Sequence, residues 1–198
     1  GLPCPRLRPG IAPNPPCGKC LRILTATTLR HASARGSEDP TLYQRVAKTA
    51  LFASAGSEAI PMLTQALSDI DAAVRYWGAI GLGNHAQDAS RVAEQLTKIM
   101  QTDPSSVCRT AAARALCRLG QPTAALPVLT KELKQGSQWE RLHAAIVLDE
   151  IEDQARPVIP QMHAALKPRT DLYANGKYVI RVLNRALNQL EGTQRQVP

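Results

Sequence analysis

Two groups of side chains in this 198-residue chain have the types and spacing for chemistry. The first is Cys17-Gly18-Lys19-Cys20, with Cys4 and His31 on either side. A CxxC pair serves as a redox couple or as half of a zinc site. A redox couple belongs beside a βαβ pattern, which is lacking here, and a zinc site would have to draw its remaining ligands from Cys4 and the distant His31. We therefore expect no metal and no cofactor, and read the pair as part of a Pro-rich leader. The second group is a set of arginines, Arg75, Arg109 and Arg141, at nearly even spacing. A planar guanidinium suits two-pronged binding of carboxylate or phosphate.

The other reactive residue types do not gather into a centre. His31, His85, His143 and His163 show no His-x-x-x-His pair of the kind that puts two ligands on one helical face. Gly81-Leu82-Gly83 follows no strand, so it reads as packing or a stop signal, and no nucleotide is expected. There is no credible pocket for a Ser-His-Asp set or a carboxylate pair. Five cysteines are an odd count in a chain too long for a disulfide scaffold. Cys108 and Cys117 are expected on opposite faces of one helix, about 13.5 Å apart along its axis, too far to bridge.

What positions the arginines is a repeat. Ile60-Pro61, Val92-Ala93, Leu126-Pro127 and Ile159-Pro160 recur at spacings of 32, 34 and 33 residues, and Leu67, Ile99, Leu133 and Leu166 follow them in phase. Such a period signals stacked helical hairpins. Each unit is expected to hold a helix A, a turn and a helix B: 58–68 with 72–82, 89–101 running on after Asp103-Pro104-Ser105 to Leu119, 122–135 with 138–151, and a fourth from about Ala155. Its turn is an insertion, Pro168 to Gly176, before a last helix ending near Leu190. In the B helices Arg75, Arg109 and Arg141 align, as do Ala79, Ala113 and Ala145, then Leu82, Leu116 and Leu148. Four residues separate Arg from Ala and three separate Ala from Leu, so each set continues one stripe. Small Ala lets hairpins approach and Leu fills the space between layers. The last helix loses the column, with Arg181 offset and Asn184, Arg185 and Asn188 across its stripe, as a capping helix should.

The fold class expected is all-α, a solenoid of about four hairpins over 58–190. Residues 1–20 hold six prolines and read as a disordered leader, 21–57 as one or two preceding helices (Leu21–Arg35 and about Thr41–Ala53), and 191–198 as a tail. The formal charge is +8, about half of it in residues 1–40. That permits an anionic polymer, nucleic acid or acidic polysaccharide, as partner, but the charge is diffuse and lacks an aromatic platform. No stretch approaches the run of about 20 apolar residues a membrane helix needs. The opening Gly, in place of Met, leaves room for a removed start, signal or preceding domain, so the compartment stays open.

Asp71-Ala72-Ala73-Val74-Arg75 and the run Asp103 to Gly120 resemble HEAT repeats, a family that forms a right-handed α-α superhelix. Val74-Arg75-Tyr76-Trp77-Gly78-Ala79-Ile80-Gly81-Leu82, Arg141-Leu142-His143-Ala144-Ala145 and Tyr178-Val179-Ile180-Arg181-Val182-Leu183 are similar to the HEAT segment that follows the catalytic domain of some bacterial sulfatases. The catalytic half does not carry over. The family's formylglycine motif is C/S-x-P-x-R, and Cys4-Pro5-Arg6-Leu7-Arg8 has Arg where the Pro should stand. The resemblance implies a chain without catalysis of its own, an appendage of a sulfatase-like hydrolase, with a protein partner or an upstream catalytic domain. It implies an extracytoplasmic location.

The candidate binding surface is Arg75, Arg109 and Arg141 along the B helices, Tyr76, and Tyr173, Asn175 and Tyr178 in the 168–178 loop, because loops of unusual length are where solenoids place binding groups. The arginines have a structural alternative, an internal ladder in which Asp71, Asp103 and Glu140 pair with them across repeats. Trp77 and Trp139 are expected in the core, and Tyr76 nearer the surface.

Overall fold

A computed structural model of the chain describes residues 40–86 and 90–194. The expected leader, the CxxC pair, Cys4, His31 and the helix expected at 21–35 lie outside the described residues. Contacts divide the chain into Gly1–Ala47 and Lys48–Pro198. The first unit is described only where helix α1, Pro40–Phe52, begins, and the hairpins all belong to the second.

The second unit is all-α among the described residues. Its hairpins are α2 (Ile60–Ala66) with α3 (Ala72–Asn84), α4 (Ala93–Thr102) with α5 (Ser106–Arg118), α6 (Pro122–Gln135) with α7 (Gln138–Glu150), and α8 (Ile159–Ala164) with α9 (Lys177–Glu191). Local chemistry sets these bounds. Pro61, Pro122 and Pro160 sit in first turns, where a missing N–H costs no helical bond. Asp71 caps α3 by accepting the Ala73 N–H at 2.7 Å. Ser137 and Glu140 form a capping box at the start of α7, with the Ser137 N–H donating to Glu140 Oε2 at 2.6 Å. Helix α5 ends at Gly120, which takes φ +80°. There the Gln121 N–H reaches back to the Leu116 carbonyl at 2.9 Å and the Gly120 N–H to that of Cys117 at 3.0 Å, closing the exposed end.

The A helices α4, α6 and α8 form one layer and the B helices α3, α5, α7 and α9 the other. Between them Ala79, Ala113 and Ala145, with Leu82, Leu116 and Leu148, are completely buried, so the aligned columns of the sequence are the interlayer core. The helices expected at 58–68 and 89–101 are each entered by a 3-10 turn, and the end of α3 also differs from expectation. Helix α3 runs through Gly83 to Asn84, because its glycines serve packing and do not stop it: a Cβ on Gly81 would lie 2.6 Å from Leu63 Cδ2 and 2.9 Å from Ala53 Cα. Cys108 and Cys117 are buried free thiols, and burial pushes Cys117 up to about 11.

The fourth hairpin is irregular. A 3-10 stretch, Glu152–Val158, leads into the short α8, and a second, Tyr173–Gly176, leads out of the inserted loop into α9. Helix α9 buries Val179, Leu183, Ala186, Leu187 and Leu190 and exposes Arg181, Arg185 and Gln189. Arg185 reaches the buried Asp149 of α7 with both prongs, Nε standing 3.1 Å from Oδ1. No described helix is long and apolar enough to cross a membrane.

Candidate functional site

The three aligned arginines occupy one structural position with three different outcomes. Each stands early in a B helix, where its Nη1 can reach back to carbonyls of the preceding A–B turn or of the last turn of helix A. In the first hairpin Arg75 Nη1 donates to Asp69 O at 3.0 Å and Ile70 O at 2.9 Å. In the second Arg109 Nη1 donates to Asp103 O at 2.9 Å and Pro104 O at 3.2 Å, and in the third Arg141 Nη1 donates to Lys134 O at 2.9 Å. One prong of each guanidinium thus satisfies helix-end carbonyls that would otherwise lack donors.

The other prong faces the next hairpin. Arg75 grips Asp103 there, Nε to Oδ2 at 2.7 Å and Nη2 to Oδ1 at 2.9 Å. Burial alone would raise the Asp103 carboxyl, but this guanidinium and the Ser105 N–H at 2.9 Å hold it below the ordinary range. Arg109 grips Glu132 of α6, with Nε and Nη2 at 2.9 and 2.6 Å from the same Oε1. Both carboxylates are buried. A ladder between repeats therefore exists, with partners that differ from two of those expected. Asp71 and Glu140 are spent on caps, and Glu132 takes the place given to Glu140.

At the third level the ladder lacks its carboxylate. Arg141 is only 4% exposed, yet its Nε has no hydrogen-bond partner. Burial, then the neighbouring charge of Arg169, lowers its affinity for the proton. Counting from the second residue of each marker pair explains why no acid faces Arg141. Glu132 lies five residues after Pro127, and the fifth residue after Pro160 is Ala165; Asp103 lies ten after Ala93, and the tenth after Pro160 is Thr170. Neither replacement carries a charge.

In place of the missing side chain is a cleft of about 690 Å³ between the third and fourth hairpins. Pro127, Leu133, Pro160 and Ala165 give it apolar walls, and Lys131, Lys134, Arg141, Lys167 and Arg169 line it with positive charge and no carboxylate. Asp171 is close enough to act on Arg141 but is taken by Arg169, whose Nε lies 2.9 Å from its Oδ1.

The remaining candidates separate. Tyr76 is half-buried, edge-on to Trp77 with ring centroids 5.5 Å apart, and burial raises its hydroxyl. Trp77 is buried as expected, whereas Trp139 is 64% exposed, because its position two residues before Arg141 turns it away from the interlayer stripe. In the inserted loop Tyr173 is exposed and stacks on Tyr178, centroids 6.4 Å apart, with Lys177 Nζ 5.7 Å from the Tyr178 ring. Asn175 lies in the short 3-10 stretch leading to α9. That loop meets the arginine column through Arg169 and Asp171, both of which act on Arg141. The cleft lysines were not singled out from sequence; the signal available was the proline phase, which places an alanine where an acid had stood.

The comparisons agree with this architecture. Residues 28–117 match the family model described as HEAT repeats, and residues 109–135 match the PBS lyase HEAT-like repeat. Among curated proteins none matches the chain. Among the described residues the second unit is a HEAT-like α-α solenoid, in line with both matches, the first of which begins in the first unit.

Proposed function

We propose that the chain is a non-catalytic scaffold that docks a protein partner on its B-helix face. HEAT repeats commonly mediate protein interactions, and a stacked-hairpin unit offers an extended surface for it. The observation that carries the reading is on α7. Trp139, 64% exposed, and Ile146, 39% exposed, are seven residues apart, two helical turns along one stripe, with half-buried Leu142 and His143 between them. A large uncovered aromatic flanked by aliphatic surface is the usual anchor of an interface. The test is chemical cross-linking in cells of the source organism with the full chain and with the Trp139→Asp, Ile146→Asp variant. A discrete protein adduct that the variant loses supports the reading; the same adducts from both chains, or none, contradict it.

The partner we infer is an upstream catalytic domain of a sulfatase-like hydrolase. This rests on the likeness of the 74–82, 141–145 and 178–183 strings to the helical segment of such enzymes. A reading frame that continues upstream of Gly1 into a C-x-P-x-R motif supports it, and one that continues into unrelated sequence overturns it.

A further inference from the structure

We propose that the cleft between the third and fourth hairpins binds an acidic peptide segment of a partner protein, whose carboxylate takes the place the ladder leaves empty beside Arg141. The proposal deepens the scaffold reading and rests on it for the partner being a protein.

The ladder itself identifies the ligand. At two successive levels the same arginine, bound through Nη1 to its own turn, gives Nε and Nη2 to a buried carboxylate from the next hairpin. The third arginine keeps a contact to the end of its own A helix and is buried more deeply than the other two, but its Nε is unpartnered. Asp171, held by Arg169, acts on this guanidinium only at a distance, and a buried cation whose Nε has no carboxylate against it is costly, so this level is stabilised by an acid delivered from outside. The chemistry of the first two levels makes that acid a carboxylate at the end of a short side chain. The walls fit the rest of a peptide. Apolar Pro127, Leu133 and Pro160 would accept small or aliphatic neighbours, and exposed Lys131, Lys134 and Lys167 would steer further acidic residues to the mouth. A volume of about 690 Å³ admits a few residues of extended chain and is far larger than a single inorganic anion requires.

Fluorescence anisotropy of the full chain tests this with three pools of labelled heptapeptides. One alternates Asp or Glu with Ala, Leu and Pro; the second replaces each acid by its amide; the third replaces it by Lys. The acidic pool should bind at least tenfold more tightly than the amide pool, and the Lys pool not at all. Ala165→Glu, which supplies the carboxylate internally, should abolish the binding, Arg141→Gln should weaken it about tenfold, and Lys98→Glu, a charge reversal outside the cleft, should leave it alone. Circular dichroism confirms that each variant is folded. Equal binding of acidic and amide pools, or acidic binding that survives Ala165→Glu, overturns the proposal. Displacement of the acidic pool by equimolar inorganic phosphate also overturns it, in favour of a small-anion site. Pool binding with no cross-linked partner would retire the scaffold reading and leave the cleft; a partner captured through Trp139 with no pool preference would do the reverse.

Discussion

The first two levels of the arginine column and the third are built from the same residue in the same place, and they differ in what faces it. Arg75 and Arg109 meet Asp103 and Glu132 inside the stack, so their charges serve cohesion between repeats. Arg141 meets Ala165 and a cationic cleft. A repeat protein can thus turn a structural position into a binding position by omitting one partner, without altering the residue that does the binding.

The largest expected effect separates the two kinds of level. Arg75→Leu takes from the buried Asp103 carboxylate its two-pronged partner and should cost about 3 kcal/mol of unfolding free energy, as broken buried pairs do. Arg141→Leu strands no carboxylate and should change stability by less than about 1 kcal/mol. Urea unfolding of both variants checks the pair. Next in size is Gly81→Ala, which tests whether close helix approach holds the first hairpin. Its methyl would collide with Leu63 and the Ala53 backbone, and overpacking of this kind should cost about 1–3 kcal/mol by the same measurement.

Much of this architecture was legible because repeat phase and helix caps are local. The Ile60-Pro61 to Ile159-Pro160 series placed four hairpins, and the Ala and Leu columns named the interlayer core residue by residue. Pairing across repeats was harder to read. Asp71 and Glu140 stand near the arginines in sequence, but each lies at a helix start where unpaired N–H groups claim it. Glu132 sits in the last turn of α6, where no unpaired N–H claims it, and only the way α6 stacks beside α5 brings it to Arg109. Trp139 misled for a related reason. Its size suggests burial, while its angular position, two residues before a buried arginine, sets it on the other side of α7. The cleft was invisible to motif reading because its informative residue is an alanine.

A smaller effect concerns pH. The Asp103 carboxyl is held below its ordinary value in the fold, so the unfolded chain binds the proton first as pH falls. Its contribution is complete above the unfolded value of 3.8 and is lost as pH drops below that through the folded value. Stability of the native chain should decline across this acid range, and Asp103→Asn should show a shallower decline when unfolding is followed at a series of pH values.

The most direct test of the open third level is to close it. Ala165→Glu puts a carboxylate at the place Glu132 holds one level earlier, and pairing it with Arg141 should raise the free energy of unfolding by about 1 kcal/mol. In the background of Arg141→Gln the same change should give no gain. An unchanged or lower stability for Ala165→Glu, or an equal gain in both backgrounds, would contradict the claim that the ladder is missing a carboxylate at Arg141.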